Sequence, residues 1–398
     1  MTNIFVVNSD LGKNRGDRCI AEGVIALIRK RYPSARIVAV SEHAKRDSKW
    51  FDVDFLESDV TTLNPIKWLK MAREAARSDA VYWGGGELLK DYTNSIGLWY
   101  WCVLILWLRL FNRNLYGIGQ GIGRTSGRFN RWFIAFVVRR TRKFSVRDHE
   151  SYEKLVEWDV PRDQLVASSD PAILLKAPLV ASPHSAVQSG HLDESFLREF
   201  VVIAPRNWFH YQTGGLIPYR FKQRWFGKRP DPRSERYADS LRSVIRTVTS
   251  KFGNVLLVPM HMGEDVRFCD ELVGSLPEDD RLRVLRQDSV SPSELRSLFA
   301  RARFTIGFRL HATIVATSGN TPALTFYYAD KGRLFFEQLE QQENSFPIES
   351  LLEDDFESRF KMTLESFVGR NDEIKEKLGF TLEELRRTVE HGFDELHE

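Results

Sequence analysis

Short apolar runs alternate with helical patterns along this chain, and that rhythm restricts its fold more than any other feature. Strands are expected at Ile4–Val7, Ile37–Val40, Ala80–Trp83, Leu115–Ile118, Phe144–Val146 and Leu165–Ala167. Between them lie helices such as Ile20–Lys30, where Ile20, Val24, Leu27 and Ile28 recur at helical spacing. Alternation of this kind builds βαβ units and a mostly parallel sheet. The rhythm stops over 177–198, which is rich in Ser, Pro, His and Gly, as a connector would be. It resumes with strands at Val201–Ala204, Val255–Pro259, Arg283–Leu285, Phe304–Gly307 and Ala323–Phe326, separated by helices such as Tyr237–Phe252 and Pro292–Arg301. The expected fold class is therefore α/β, with two Rossmann-like domains over 1–176 and 199–347, a linker over 177–198 and a charged helical tail over 348–398. Two such sheets facing a cleft would bind ligand at the carboxyl ends of their strands.

With 398 residues, 42% of them apolar, the chain can bury large cores. Its net charge of +3 is too small to argue for nucleic-acid binding, so any electrostatic function must be local. Cys19, Cys102 and Cys269 lie far apart, which fits buried thiols in a reducing compartment and neither a disulfide framework nor a zinc site. The N-terminus opens on a strand-like run without signal-peptide features, and a cytoplasmic location is expected. Ile96–Leu108 is strongly apolar but falls short of the ~20 residues that a spanning helix needs. It reads either as a helix buried against the sheet or as an interfacial patch. The second reading draws on its tryptophans and on nearby Arg124, Arg128, Arg131, Arg139 and Arg140, and implies peripheral contact with an anionic membrane.

The chemistry should come from strand ends. After the first strand, the loop Asn8–Asp17 matches neither a dinucleotide fingerprint nor a phosphate-binding P-loop. Asp17 there is either a helix cap or, with Asn14, a ligand for sugar hydroxyls. Gly84, Gly85 and Gly86 precede Glu87 and Asp91, and three consecutive glycines suggest close approach of backbone to a ligand. Gly117–Gly123 repeats that composition. Arg147 with Asp148, and Asp170 before Pro171, read more readily as structural pairs and caps. In the second half, Arg206 follows Pro205 at a strand end, and His261 and Asp265 follow Pro259. Arg309 and His311 follow Phe304–Gly307, before a helix expected over 313–319. If the strand continues through them, their side chains share a face, suited to holding an anion and moving a proton.

Taken in order, these motifs resemble the polysaccharide pyruvyl transferases: Asn14-Arg15-Gly16-Asp17, Gly84 to Asp91, Val146-Arg147-Asp148, Ser169-Asp170-Pro171, Pro205-Arg206, His261 with Asp265, and Phe308-Arg309-Leu310-His311. The resemblance implies a GT-B-like pair of domains and transfer of the pyruvyl group of phosphoenolpyruvate to a saccharide as a ketal, in polysaccharide or cell-surface glycan biosynthesis. It implies a phosphoenolpyruvate site on the second domain at Arg206, Arg309, Leu310 and His311. On that basis Asn14, Asp17, Gly85, Gly86, Glu87 and His261 are expected to bind the acceptor, a saccharide that is lipid-linked in one form of the expectation. His311 is the expected acid, and Asp17 and Asp91 are candidate bases. No cofactor or metal is expected, phosphoenolpyruvate being a co-substrate. Arg309→Ala is expected to leave the fold intact. Two alternatives keep the fold: a nucleotide-sugar glycosyltransferase, and a non-catalytic glycan- or membrane-binding partner of a polymer assembly complex.

Overall fold

The computed structural model describes residues 2–8, 10–176, 192–209, 215–216 and 231–398. The chain forms two compact units. Unit 1 holds the described residues up to Leu174, Gly215 and Leu216, and the terminal segment Leu385–Glu398. Unit 2 holds the described residues of Leu175–Tyr211 and Arg229–Glu384.

Unit 1 contains seven strands: β1 (Asn3–Val7), β2 (Arg36–Ser41), β3 (Asp54–Glu57), β4 (Ala80–Leu89), β5 (Leu115–Ile122), β6 (Phe144–Val146) and β7 (Leu165–Ala167). They form one sheet in the order β3-β2-β1-β4-β5-β6-β7, parallel throughout. Its helices are α1 (Arg15–Arg31), α2 (Ala44–Asp47), α3 (Pro65–Arg77), α4 (Ser95–Phe111), α5 (Arg128–Val138) and α6 (His149–Glu157). Strand order reverses between β1 and β4, the switch point at which open sheets of this kind bind ligands. Phe5, Val7, Val81 and Trp83 on these central strands are fully buried. Burial on both faces is why the strands read as continuous apolar runs.

The described residues of unit 2 form six strands: β8 (Phe200–Ala204), β9 (Asn254–Leu257), β10 (Leu282–Val284), β11 (Thr305–Gly307), β12 (Ala323–Tyr327) and β13 (Ser345–Pro347). Their order is β10-β9-β8-β11-β12-β13, again all parallel, with the switch point between β8 and β11. Its helices are α7 (Pro232–Phe252), α8 (Glu264–Gly274), α9 (Pro292–Arg301), α10 (Leu310–Ser318), α11 (Asp330–Gln338) and α12 (Phe356–Gly369), followed by α13 (Asn371–Glu395). Helix α9 begins as its sequence dictates, with Ser291 and Glu294 closing a capping box around Pro292.

Several expectations need amendment. The glycine runs are not loops beyond the strands but lie within β4 and β5, whose pairing is irregular between Gly86 and Leu89. Gly84, Gly85 and Gly86 have φ of 143°, 90° and 89°, a region that side chains disfavour. A Cβ on Gly85 would sit 2.1 Å from Cγ2 of Ile20, so the packing of α1 by itself requires glycine there. Edge strands β3 and β13 were not anticipated, because Asp54, Glu57 and Pro347 interrupt any apolar run. The tail is not a separate element. Helix α13 gives buried Leu378 and Leu382 to unit 2 and buried Val389 and Phe393 to unit 1. Most of the expected linker, 177–191, lies outside the described residues, as do 210–214 and 217–230 of the aromatic loop Asn207–Arg233.

Candidate functional site

In unit 2 the strand ends at the switch point converge. Ala204 pairs with Gly307, so Arg206 and Arg309 stand at equivalent places, two residues beyond neighbouring strands. Gly307 lets α10 close tightly on its strand, since a Cβ there would meet Thr313 Cγ2 at 2.5 Å. The helix therefore starts at Leu310, with Arg309 as its N-cap. His311 lies in its first turn, not on an extended strand, so residues 309 and 311 do not share one face of a strand. Among the described residues no side chain caps α10. Its first backbone N–H groups and the helix dipole thus make an anion-favouring end. Leu310 is buried, so only its main chain is suited to meeting a ligand.

The two arginines differ in how they are held. Arg309 donates from Nε and Nη2 to the two carboxylate oxygens of Asp265, at 2.5 and 2.6 Å, and Asp265 is fully buried. Burial opposes the charge on Arg309, but Asp265 more than offsets it and the guanidinium is held above its ordinary range. Removing Arg309 would strand a buried carboxylate, so Arg309→Ala is not the fold-neutral change expected from sequence.

Arg206 makes no ion pair among the described residues. Its Cζ lies 3.8 Å from the Tyr328 ring centre and 5.1 Å from that of Trp208, and its buried Nε has no hydrogen-bond partner among the described residues. This is a cation set on an aromatic platform with donor capacity to spare. Lys331 Nζ also lies over Tyr328, at 5.3 Å. Tyr237 links the two arginines. Its hydroxyl donates to the Arg206 carbonyl at 2.7 Å, and its ionisation is suppressed by burial first, while Arg206, Asp265 and Arg309 all act on it electrostatically.

His261 belongs to this network and not to unit 1. Its backbone N–H donates to Asp265 at 2.9 Å, and its Nδ1 accepts from the N–H groups of Gly263 and Glu264, each at 3.2 Å. An accepting Nδ1 assigns the proton of the neutral ring to Nε2, which makes His261 a donor.

In unit 1 most of the expected site residues serve the fold. Asn14, not Asp17, caps α1, accepting from Gly16 and Asp17 N–H at 3.0 and 3.4 Å. Asp17 accepts from Asp10 N–H, closing the loop. Asp91 is saturated by the N–H groups of Ser126 and Gly127 and by Asn130 Nδ2, which joins it to the start of α5. That is the bonding of a capping anion, although Asp91 also lines a cavity of about 320 Å³ with Tyr92, Ser95, Arg124 and Asn130. Glu87 accepts from Tyr92 and lies near Lys90 and buried Arg147, at 3.5 and 3.6 Å. Arg147 also pairs with Asp170 at 3.0 Å and Asp148 at 3.8 Å. Burial opposes its charge and the three carboxylates restore it.

Two side chains at this switch point are not committed in that way. Asn8, directly after β1, and Gln120 on β5 are almost fully buried, and none of their four amide N and O atoms has a hydrogen-bond partner among the described residues. They flank the glycine strand: Val7 pairs with Trp83, which sets Asn8 beside Gly84, and a Cβ on Gly84 would lie 2.4 Å from Gln120 Nε2. Neither falls in a recognisable motif.

Two doubly wound parallel sheets, each with polar groups gathered at its switch point, define a GT-B-like protein. Solved structures of that class share the fold. HepE from Anabaena, solved with UDP-glucose, has 12% identity and a TM-score of 0.58, covering 98% of each chain. The UDP-GlcNAc 2-epimerase of Neisseria meningitidis, bound to UDP-GlcNAc, has 11% identity and a TM-score of 0.58, covering 95% of this chain and 94% of that one. A glycosyltransferase from Rickettsia africae has 12% identity and a TM-score of 0.56, covering 99% and 95%. At such identities the likeness concerns fold alone. No curated protein sequence matches significantly. The chain belongs to the polysaccharide pyruvyl transferase family, whose sequence model matches residues 14–330.

Proposed function

We propose that this transferase moves the pyruvyl group of phosphoenolpyruvate onto two hydroxyls of a saccharide, forming a ketal and releasing phosphate. The observation that carries the reading is Arg206, a cation without an acidic partner among the described residues, stacked on Tyr328 beside the uncapped start of α10. Phosphoenolpyruvate brings a carboxylate and a phosphate, and arginine's planar fork suits either. Arg206 takes one group, and the N-terminus of α10 with Arg309 takes the other. Asp265 fixes Arg309 and tempers its charge, so that it positions more than it attracts.

His311, in the first turn of α10, gives a proton to the methylene carbon. The resulting oxocarbenium-like centre is attacked by one sugar hydroxyl, which loses its proton, and a second hydroxyl then displaces phosphate. General-acid assistance of this kind is typically worth ~10²–10⁴ in rate. His261, donating from Nε2, supports the same anion and is not an acceptor ligand. In unit 1, the carboxamides of Asn8 and Gln120 read the hydroxyls of the saccharide, with Asn14 and Asp17 shaping the loop beside them. The proposed site of action is cytoplasmic, and a lipid-linked acceptor fits a unit 1 that works at a membrane surface.

The test is incubation with phosphoenolpyruvate and a panel of galactose-, mannose- and glucose-type acceptors, reading phosphate release and the mass gain of a ketal. Turnover should require Arg206 and His311. Stabilisation by UDP-sugars but not by phosphoenolpyruvate in a thermal shift would overturn the reading in favour of a nucleotide-sugar transferase.

A further inference from the structure

Helix α4 departs from the pattern of a surface helix. Its inner face, with Leu98, Cys102, Leu104, Ile105 and Leu108, is buried as a sheet-packed helix requires. Its outer face should then be polar. Instead Ile96, Val103 and Leu110, at heptad spacing, are 41%, 46% and 77% exposed, and Arg109 is the helix's one charged residue. Neighbouring helices continue the surface, with Ile66 and Leu69 exposed on α3 and Phe129 and Trp132 on α5. Of the twelve large apolar side chains exposed among the described residues, ten belong to α3, α4, α5 and the segments beside them. No helix among the described residues is long and apolar enough to cross a membrane, so the stripe lies on a surface.

Charge follows the same boundary. Residues 61–140 carry twelve Lys and Arg against four Asp and Glu, in a chain whose overall balance is only +3. Two of the four acids, Glu87 and Asp91, are held by partners inside the unit. The cations crowd one another: Arg109 is pulled below its ordinary range by burial first, then by Arg113 and Arg140. A second copy of this chain would bring the same basic face and be repelled. An apolar, aromatic stripe bordered by basic residues has the composition of an interfacial surface.

We propose that the α3–α4–α5 face of unit 1 rests on an anionic phospholipid bilayer, its apolar stripe entering the headgroup region and its arginines pairing with lipid phosphates. The inference does not depend on pyruvyl transfer, and a soluble acceptor assayed without lipid tests that chemistry separately. The experiment is co-sedimentation of the full chain with vesicles of phosphatidylcholine alone and of phosphatidylcholine and phosphatidylglycerol in equal parts. Binding should be at least ~10-fold tighter to the anionic vesicles and should weaken as salt is raised. Val103→Asp, and Arg124→Glu with Arg128→Glu, should each weaken it ~10-fold or more while the unfolding midpoint stays at the wild-type value, since these side chains are exposed. Equal binding to both vesicles, binding to neither, or unchanged binding in the variants would overturn the proposal. So would a dimer that Val103→Asp dissociates without any vesicle binding, which would give the face to self-association.

Discussion

The two switch points share a topology and differ in electrostatics. In unit 1 the acids near the centre of the sheet are held in place: Asp170, Glu87 and Asp148 surround Arg147, and Asp91 is bound to the start of α5. Two buried carboxamides there, Asn8 and Gln120, have no hydrogen-bond partner among the described residues. In unit 2 one arginine is paired, Arg309 with Asp265, and its neighbour Arg206 is held on aromatic rings instead. One doubly wound sheet thus ends in groups suited to a polyol and the other in groups suited to an anion. The fold supplies the position, and the pairing of charges decides what can bind there.

The contrast breaks first on stability. Arg147→Met and Arg309→Ala each leave buried carboxylates without their cation and should cost about 3–5 kcal/mol in chemical denaturation. Arg206→Ala should cost less than about 1 kcal/mol. An Arg206 variant that unfolds as easily as the other two would mean that this side chain is also structural. The next effect is on the donor. Arg206→Ala should weaken phosphoenolpyruvate binding by about 1.5–3 kcal/mol in calorimetry, the scale of hydrogen bonds to a charged group, and unchanged affinity would remove Arg206 from the site. Asn8→Ala and Gln120→Ala should then raise the acceptor KM by about 1 kcal/mol each while phosphoenolpyruvate affinity holds. A change in donor affinity alone would reverse the assignment of the two units. Smallest is Asp91→Asn. Asparagine caps helices as well as aspartate but cannot act as a base, so kcat should change by less than ~2-fold, against the ~10²-fold or greater loss expected of a general base.

Much of this was legible in the sequence, for local reasons. Buried parallel strands such as β1 and β8 are apolar on both faces and announce themselves, and Gly319 ends α10 where a glycine should. The family order of motifs found the strand ends of both sheets. Other features depend on partners distant in sequence. Asp265 lies 44 residues from Arg309, and nothing local marks Arg309 as paired and Arg206 as unpaired. Gly85 is glycine because Ile20 occupies its Cβ position, a packing constraint that resembles a ligand site when only the glycine run is seen. Asn8 and Gln120 sit inside stretches that stand out in the sequence, but nothing local sets them apart from their neighbours there. Tyr328, immediately after β12, does carry a local signal: an aromatic at an inner strand end, within the matched family region.

The platform under Arg206 gives unit 2 its own optical gauge. Trp208 and Tyr328 have ring centres 4.4 Å apart, with the guanidinium against both. Eight of the ten tryptophans precede residue 160, which leaves Trp208 as the described indole of unit 2. Seating an anion on Arg206 changes the field at that ring, so phosphoenolpyruvate titration should shift tryptophan emission in the wild-type chain and leave a Trp208→Phe variant silent. Equal shifts in both would place the responding indole elsewhere. Donor occupancy can then be followed with no label and no acceptor, before the saccharide is known.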